Sequence, residues 1–528
     1  MVATINLVEA TPVRHLAEPE YTCWNPMDVN ISFYSPRSPF EARMTTSGTL
    51  RIAAHHTSAF NSSPDRAKIN EYLSQALRFW SSALRAKNPL SDSFLVQRQC
   101  NSERVQFIRQ SDGIIRAYCV DGCRPAAYCY TELIPPSYLD RCREIKDGVP
   151  IMTGLAGEGV LDTDILVLVD AQAAPACSNG VLAFATVCQV DSVLNRPVMG
   201  YMNICPQSVD VNYPNSNTLK YTLLHELAHV LGFTPLLYAF MRDESGEPRT
   251  PRNPATQLPN LGRDSASYFI PSDSVITTVE RTWMSAAGTF RRKIKVLRTP
   301  ALLAAAREHF NCPTLDGVDL ENQGGPGTSS SHFEKRLTVN ELMSGSIGEN
   351  QRVSTLTLSY FKDSGWYHVD MTKADSWDWG KNLGCEFVTK SCFEYMRLRK
   401  DWDAVQYPWC TRFEPFETRC LIYENAYGRC NLRKFSNELL PEYQHIPSVS
   451  GMSNSDLAHY GGQSQLADHC AYIQRKGQIL NYSLLGLLRC ALIMIQIHYG
   501  LSMSATMFKC QAIFALLAIG IAALPPRA

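Results

Sequence analysis

The chain has 528 residues, enough for two to four domains at about 100–200 residues each, and its 45% apolar, 19% charged composition can bury substantial cores. Lys+Arg and Asp+Glu are equal at 50 each, so no net charge favours nucleic acid or an anionic membrane surface. The 18 cysteines, spread from Cys23 to Cys510, point to disulfides in an oxidising compartment, which makes the protein extracellular or cell-surface.

Residues 1–42 are rich in Pro and Ser without periodicity and read as a vestigial or truncated leader or propeptide. The opening MVATINLVEATPVRHLAEPEY lacks the apolar core of an export signal, so an incomplete or misjoined N-terminus is expected. Sequons at Asn30, Asn61 and Asn481 suit a secreted protein but add little weight. The compact chain is expected to start near Gly48, with a strand over Thr49–Ala54. Ser63 and Pro64 then read as the N-cap and first-turn proline of a helix whose Ile69, Leu73, Ala76, Leu77, Trp80 and Leu84 form one buried stripe. Branched apolar runs at Ile165–Val169, Val181–Val187 and Val198–Ile204 predict sheet.

Asn217 is the expected cap of a second helix, which buries Leu219, Leu223, Leu224, Leu227, Ala228 and Leu231 and ends at Gly232 in a left-handed turn. Glu244–Asn260 reads as a surface excursion and Gln323–Ser331 as a Gly/Ser loop. From Cys385 to Cys430 the cysteines predict a loop-rich module held by disulfides. Cys119 and Cys123 have zinc-like spacing, but no second pair follows, so disulfides are preferred there too. The tail holds two apolar stretches, Leu484–Ile497 and Gln511–Leu524, each short of the 18 or more residues that span a bilayer. The second loosely fits a lipid-anchor signal, so membrane association competes with a packed helix and with an artefactual terminus.

His225-Glu226-Leu-Ala-His229 carries the chemistry. Residues four apart on a helix share a face one turn apart, the spacing that two ligands of one metal need. Glu226 follows the first ligand, where it can take a proton from a metal-bound water. Two imidazoles and a carboxylate on an apolar-striped helix are costly to bury without a partner, which disfavours ordinary exposed or satisfied histidines. The third ligand must come from elsewhere, with His309, His332 and His368 as candidates. His332 is preferred, because the flexible Gln323–Ser331 loop can return it to the helix and a tight-turn Met343 follows.

Three segments, His225-Glu-Leu-Ala-His-Val-Leu-Gly232-Phe233, Gly324-Gly-Pro-Gly-Thr-Ser-Ser-Ser-His332 and Asn340-Glu-Leu-Met343, resemble the leishmanolysin (invadolysin) family of metzincin metallopeptidases. The resemblance extends through Leu182–Gln189, Trp379–Cys385, Leu440–Gln444 and Tyr460–Gly462, covering roughly residues 45 to 475. It implies an α+β fold: a metzincin-like catalytic domain at 43–245, a central domain with the third ligand at 246–384, a Cys-rich C-terminal domain at 385–475 and an apolar tail at 476–528. It further implies one catalytic Zn2+ on His225, His229 and His332, Glu226 as base and Met343 in a methionine turn beneath the metal.

Most metzincins place the third histidine six residues after the second; here about a hundred residues intervene, itself a leishmanolysin trait. The family's propeptide carries a cysteine that blocks the metal, but the only counterpart, Cys23, has flanks that do not match, which speaks against latency through it. The function implied is zinc-dependent endopeptidase action on protein or peptide substrates, with Val181–Val187 as an edge onto which an extended substrate could add. The alternative is a catalytically silent surface module for cell adhesion. A serine hydrolase is disfavoured because no Gly-x-Ser-x-Gly elbow stands out.

Overall fold

Runs of branched side chains with no polar face can be satisfied only inside a sheet covered on both sides. In the computed structural model, which describes residues 21–22, 31–34 and 48–478 apart from 91–92, 103, 179, 213–215, 349, 413–417, 422–425 and 448–451, those runs form the central sheet. Its strands are β1 (Ser32–Tyr34), β2 (Ile52–His56), β3 (Ile165–Asp170), β4 (Ala183–Asp191) and β5 (Pro197–Ile204). The spatial order is β1-β4-β5-β3-β2. β3 runs parallel to both β2 and β5, with Val167 opposite Ala54 and Gly200, whereas β4 is antiparallel to β5.

Alternation along β3 divides two cores. Ile165, Val167 and Val169 pack with the helices α1 (Arg66–Ala83) and α2 (Ser216–Val230). Leu166 and Leu168 point the other way, against Phe94, Val96, Ile134 and Leu139. Trp80 of α1 is fully buried, and its indole N–H donates to Leu224 O of α2 at 2.9 Å, locking the two helices together. The fold is thus mixed α/β. A long hairpin, Ile276–Ser285 with Gly288–Leu297, and the helices Pro300–Phe310 and Thr355–Asp363 follow.

Several local expectations are corrected by competing hydrogen bonds. The first strand begins at Ile52 rather than Thr49, because Leu50 N–H is taken by the carbonyls of Ser81 and Leu84 and Arg51 N–H by Asp164. Ser63 caps no long helix: Thr57 caps a separate turn over Ser58–Ser62, Ser63 closes it, and α1 starts at Arg66. Leu84 leaves the helix for a short strand paired with Tyr367–Val369. Asn217 lies inside α2 rather than capping it. The third expected strand runs on to Asp191, where Gln189–Asp191 pair in parallel with β1. All nine residues of β4 are buried, but β1 pairs only with Gln189–Asp191, beyond the Val181–Val187 run expected to receive an extended substrate.

The excursion after α2 contains a repeat that the sequence reading passed over. Arg242, Arg252 and Arg263 form bridges to Pro248, Pro259 and Phe269, and the residue after each arginine (Asp243, Asn253, Asp264) accepts backbone N–H groups from the loop that follows. An Arg-Asp/Asn pair recurring every ten or eleven residues was the available signal. Asx side chains here replace strand-like hydrogen bonding by local turns.

Seven disulfides join Cys100–Cys119, Cys123–Cys142, Cys129–Cys188, Cys177–Cys205, Cys312–Cys385, Cys392–Cys470 and Cys410–Cys430. Cys119 and Cys123 therefore belong to two separate bridges. Among the described residues of the C-terminal group, only Cys410–Cys430 is internal; Cys385 reaches back to Cys312 and Cys392 forward to Cys470. Cys23, Asn30, Asn481 and both apolar tail stretches lie outside the described residues. Among the described residues no helix is long and apolar enough to cross a membrane.

The seven bridges use fourteen of the eighteen cysteines, so thiol titration under denaturing, non-reducing conditions is expected to find no more than four free thiols. Removing Cys129–Cys188, which closes a separation of 59 residues onto β4, is expected to lower unfolding stability by about 2–5 kcal/mol. Finding most of the eighteen thiols free would contradict this pairing.

Candidate metal centre

The site is assembled from three separate pieces of chain. α2 supplies His225, Glu226 and His229, all fully buried, on a helix whose leucines face the core. The loop after Gln323 supplies His332, and the turn at Glu341–Gly345 closes over them. The Nε2 atom of His225 lies 3.0 Å from that of His229 and 3.1 Å from that of His332, and the latter two are 3.3 Å apart. His309 and His368, the other candidates, are elsewhere: His309 bonds Trp379 O and stacks on Trp377, and His368 is exposed in the strand Tyr367–Val369.

Each imidazole is oriented by a backbone carbonyl. His225 Nδ1 donates to Leu342 O at 2.6 Å, His229 Nδ1 to Phe233 O at 2.6 Å and His332 Nδ1 to Thr328 O at 2.9 Å. A carbonyl can only accept, so the proton of each neutral ring sits on Nδ1 and each Nε2 presents a lone pair. Burial, with the neighbouring imidazoles adding to it, holds His225 well below its usual range. Burial lowers His229 to about 4 and His332 to about 3. All three rings are thus neutral near pH 7.

Three lone pairs converging at about 3 Å cannot satisfy one another, and they fit a cation. Zn–N bonds of about 2.0–2.1 Å at a tetrahedral angle place ligand nitrogens ~3.3 Å apart. The donor set, the separations and the carbonyl-anchored tautomers all suit zinc. Both carboxylate oxygens of Glu226 are buried without a hydrogen-bond partner among the described residues, and burial pushes its carboxyl well above the ordinary carboxylate range. A second group at ligand distance, Cys392, His445 and Cys470, has its two sulfurs bonded to each other and offers no such site.

Local sequence explains the geometry. Gly232 stands at φ +121, and this turn carries Phe233 O back beneath His229; a Cβ there would lie 2.5 Å from the Trp366 ring. Met343 is buried, and its carbonyl accepts from Phe333 N–H, next to His332. Its own N–H donates to Glu341, whose carboxylate also accepts from Ser354 Oγ at 2.7 Å and Thr357 Oγ1 at 2.5 Å. Glu341 thereby fixes the turn whose Leu342 carbonyl orients His225. The sequence reading gave Glu341, Phe233 and Thr328 no role, since nothing but their neighbours in space marks them.

A family model described as leishmanolysin matches residues 134–481. The leishmanolysin-like peptidase of Drosophila melanogaster is 33% identical over 409 residues, covering 76% of this chain and 59% of the relative. That of Caenorhabditis elegans is 33% identical over 438 residues, covering 80% and 65%. The leishmanolysin of Leishmania major is 28% identical over 298 residues, covering 56% and 41%. The chain spans about three fifths of the length of the first two of these curated relatives.

His332→Ala is expected to lower zinc content at least tenfold in metal analysis of the purified protein, whereas His309→Ala and His368→Ala leave it unchanged. Retention of metal by His332→Ala with loss in either of the others would reverse the assignment of the third ligand.

Proposed function

The chain belongs to the leishmanolysin family, and from that premise we propose that it is a zinc-dependent endopeptidase, with His225, His229 and His332 holding one Zn2+ and Glu226 as general base. The observation that carries this reading is the convergence of three Nε2 lone pairs, on rings whose other nitrogens are tied to backbone, beside a buried carboxylate without a partner.

Zinc bound there would lower the pKa of a coordinated water towards about 7 and polarise the scissile carbonyl. Glu226 takes the proton of the attacking water on a carboxylate oxygen and returns it to the leaving amine. Both oxygens are free for that exchange because neither is engaged elsewhere among the described residues. A cation held by the three neutral imidazoles would also favour the ionised form of so deeply buried a carboxylate, against the effect of desolvation. The imidazoles, pinned by carbonyls on three different segments, need no rearrangement to hold the ion.

The substrates on this reading are proteins or peptides. The seven disulfides support a secreted or cell-surface protease, since such bridges persist in oxidising surroundings.

Glu226→Ala is expected to keep its zinc and its unfolding temperature but to lose peptide hydrolysis by about 10²–10⁴-fold, the usual contribution of a general acid/base. A zinc chelator should abolish the parent's activity, and added zinc restore it. Activity of Glu226→Ala within a factor of three of the parent would overturn the assigned role.

A further inference from the structure

The loop that brings His332 to the helix is closed on itself by one residue. Glu321 donates its backbone N–H to His332 O at 2.9 Å and accepts from Ser330 N–H at 2.8 Å. Its buried carboxylate accepts the N–H groups of Asn322 at 3.0 Å, Gln323 at 2.9 Å and Lys335 at 3.2 Å. What the loop leans on comes from far along the chain. Gln323 Nε2 donates to Asp468 Oδ1 at 2.8 Å, a contact across 145 residues. Arg292 Nη1 stands 3.1 Å from Asp468 Oδ1 and Arg336 Nε 3.5 Å from Oδ2, charge contacts rather than aligned hydrogen bonds, around a carboxylate with no exposed surface.

Leu466 completes the contact. Gly324 has φ +77, and a Cβ there would lie 2.8 Å from the Thr328 side chain and 2.9 Å from Leu466 Cδ2. At Gly345, two residues past Met343, a Cβ would be 3.2 Å from both Leu466 Cδ1 and Thr328 Cγ2. Leu466 therefore lies between Gly324 of the loop and Gly345 past the methionine turn, where the side chain of Thr328, whose carbonyl orients His332, closes on the same two glycines. The chain around it is strained: Asp468 and His469 both adopt left-handed backbone, at φ 54 and 55, immediately before the Cys392–Cys470 bridge. Non-glycine residues are held that way only where surroundings over-determine them.

We propose that Leu466 and Asp468 are positioning residues of the metal centre, fixing the His332 imidazole through Thr328 and Gln323. This rests on the metal reading above. It means that the region near the Cys392–Cys470 bridge is not a detachable appendage, because the third ligand has no fixed place without it. Leu466 fixes the packing of the loop and Asp468 its charge and register.

Cobalt titration of the full chain, stripped of metal, tests this through affinity and the visible d–d absorption of the bound ion. Leu466→Ala and Asp468→Asn are expected to weaken cobalt binding by about 10–100-fold, as changes behind metal ligands do, and to alter the absorption band; Leu466→Ile should restore most of both. Leu457→Ala, a buried change in a separate apolar cluster of the same region, should lower the unfolding temperature while leaving cobalt affinity within twofold of the parent. If Asp468→Asn does not fold, Leu466→Ala and its Ile counterpart carry the test. Parent-like affinity and absorption in Leu466→Ala, or equal weakening in Leu457→Ala, would overturn the proposal. Cobalt binding by the parent that is insensitive to His332→Ala would instead overturn the metal reading itself.

Discussion

Three imidazole nitrogens face one another at about hydrogen-bond distance with no proton between them, and much of the surrounding structure serves to keep them there. Each neutral ring donates its one N–H to a backbone carbonyl, so the inward lone pairs repel unless a cation joins them. That repulsion must be opposed by rigid scaffolding. The protein supplies it as three carbonyls on three segments, at Phe233 just past the helix, Thr328 in the following loop and Leu342 in the turn beyond.

The remaining architecture can be read as support for those carbonyls. The central sheet and Trp80 fix α2 in the core, and Gly232 turns the chain so that Phe233 O meets His229. Glu341 ties the Leu342 turn to the helix Thr355–Asp363 through Ser354 and Thr357, and Glu321 closes the His332 loop. Buried carboxylates with several donors each are expensive to desolvate but, once satisfied, hold backbone in one arrangement. The proposed metal site, made from distant parts, needs that, because no single element can place all three histidines.

The long separation between His229 and His332 is filled with locally determined structure. The Arg-Asx loops, the Ile276–Leu297 hairpin and the helix Pro300–Phe310 each form from short-range contacts. Disulfides then limit how far such parts can drift: Cys312–Cys385 anchors the end of that helix, and Cys392–Cys470 anchors the segment beneath the His332 loop. Bridges of this kind compensate for loop-rich regions that bury little apolar surface of their own.

Where chemistry depends on residues close in sequence, it was legible without coordinates. The His225–His229 spacing specifies a shared helical face, the branched runs at Ile165–Val169 and Val198–Ile204 form the two central parallel strands, and Gly232 ends the helix. Element ends were less legible: Ser63 and Thr49 had plausible local roles that Thr57, Asp164 and the backbone of Ser81 pre-empted, and the second helix already includes Asn217. His332 could be favoured among three histidines by its loop, yet only the folded chain puts its Nε2 within 3.3 Å of both helix histidines, and only the folded chain gives Glu321, Glu341, Leu466 and Asp468 anything to hold. Periodicity and capping are properties of a few consecutive residues, and sequence records them directly. Which carbonyl faces which imidazole is decided by packing across more than a hundred residues, and no local pattern encodes it.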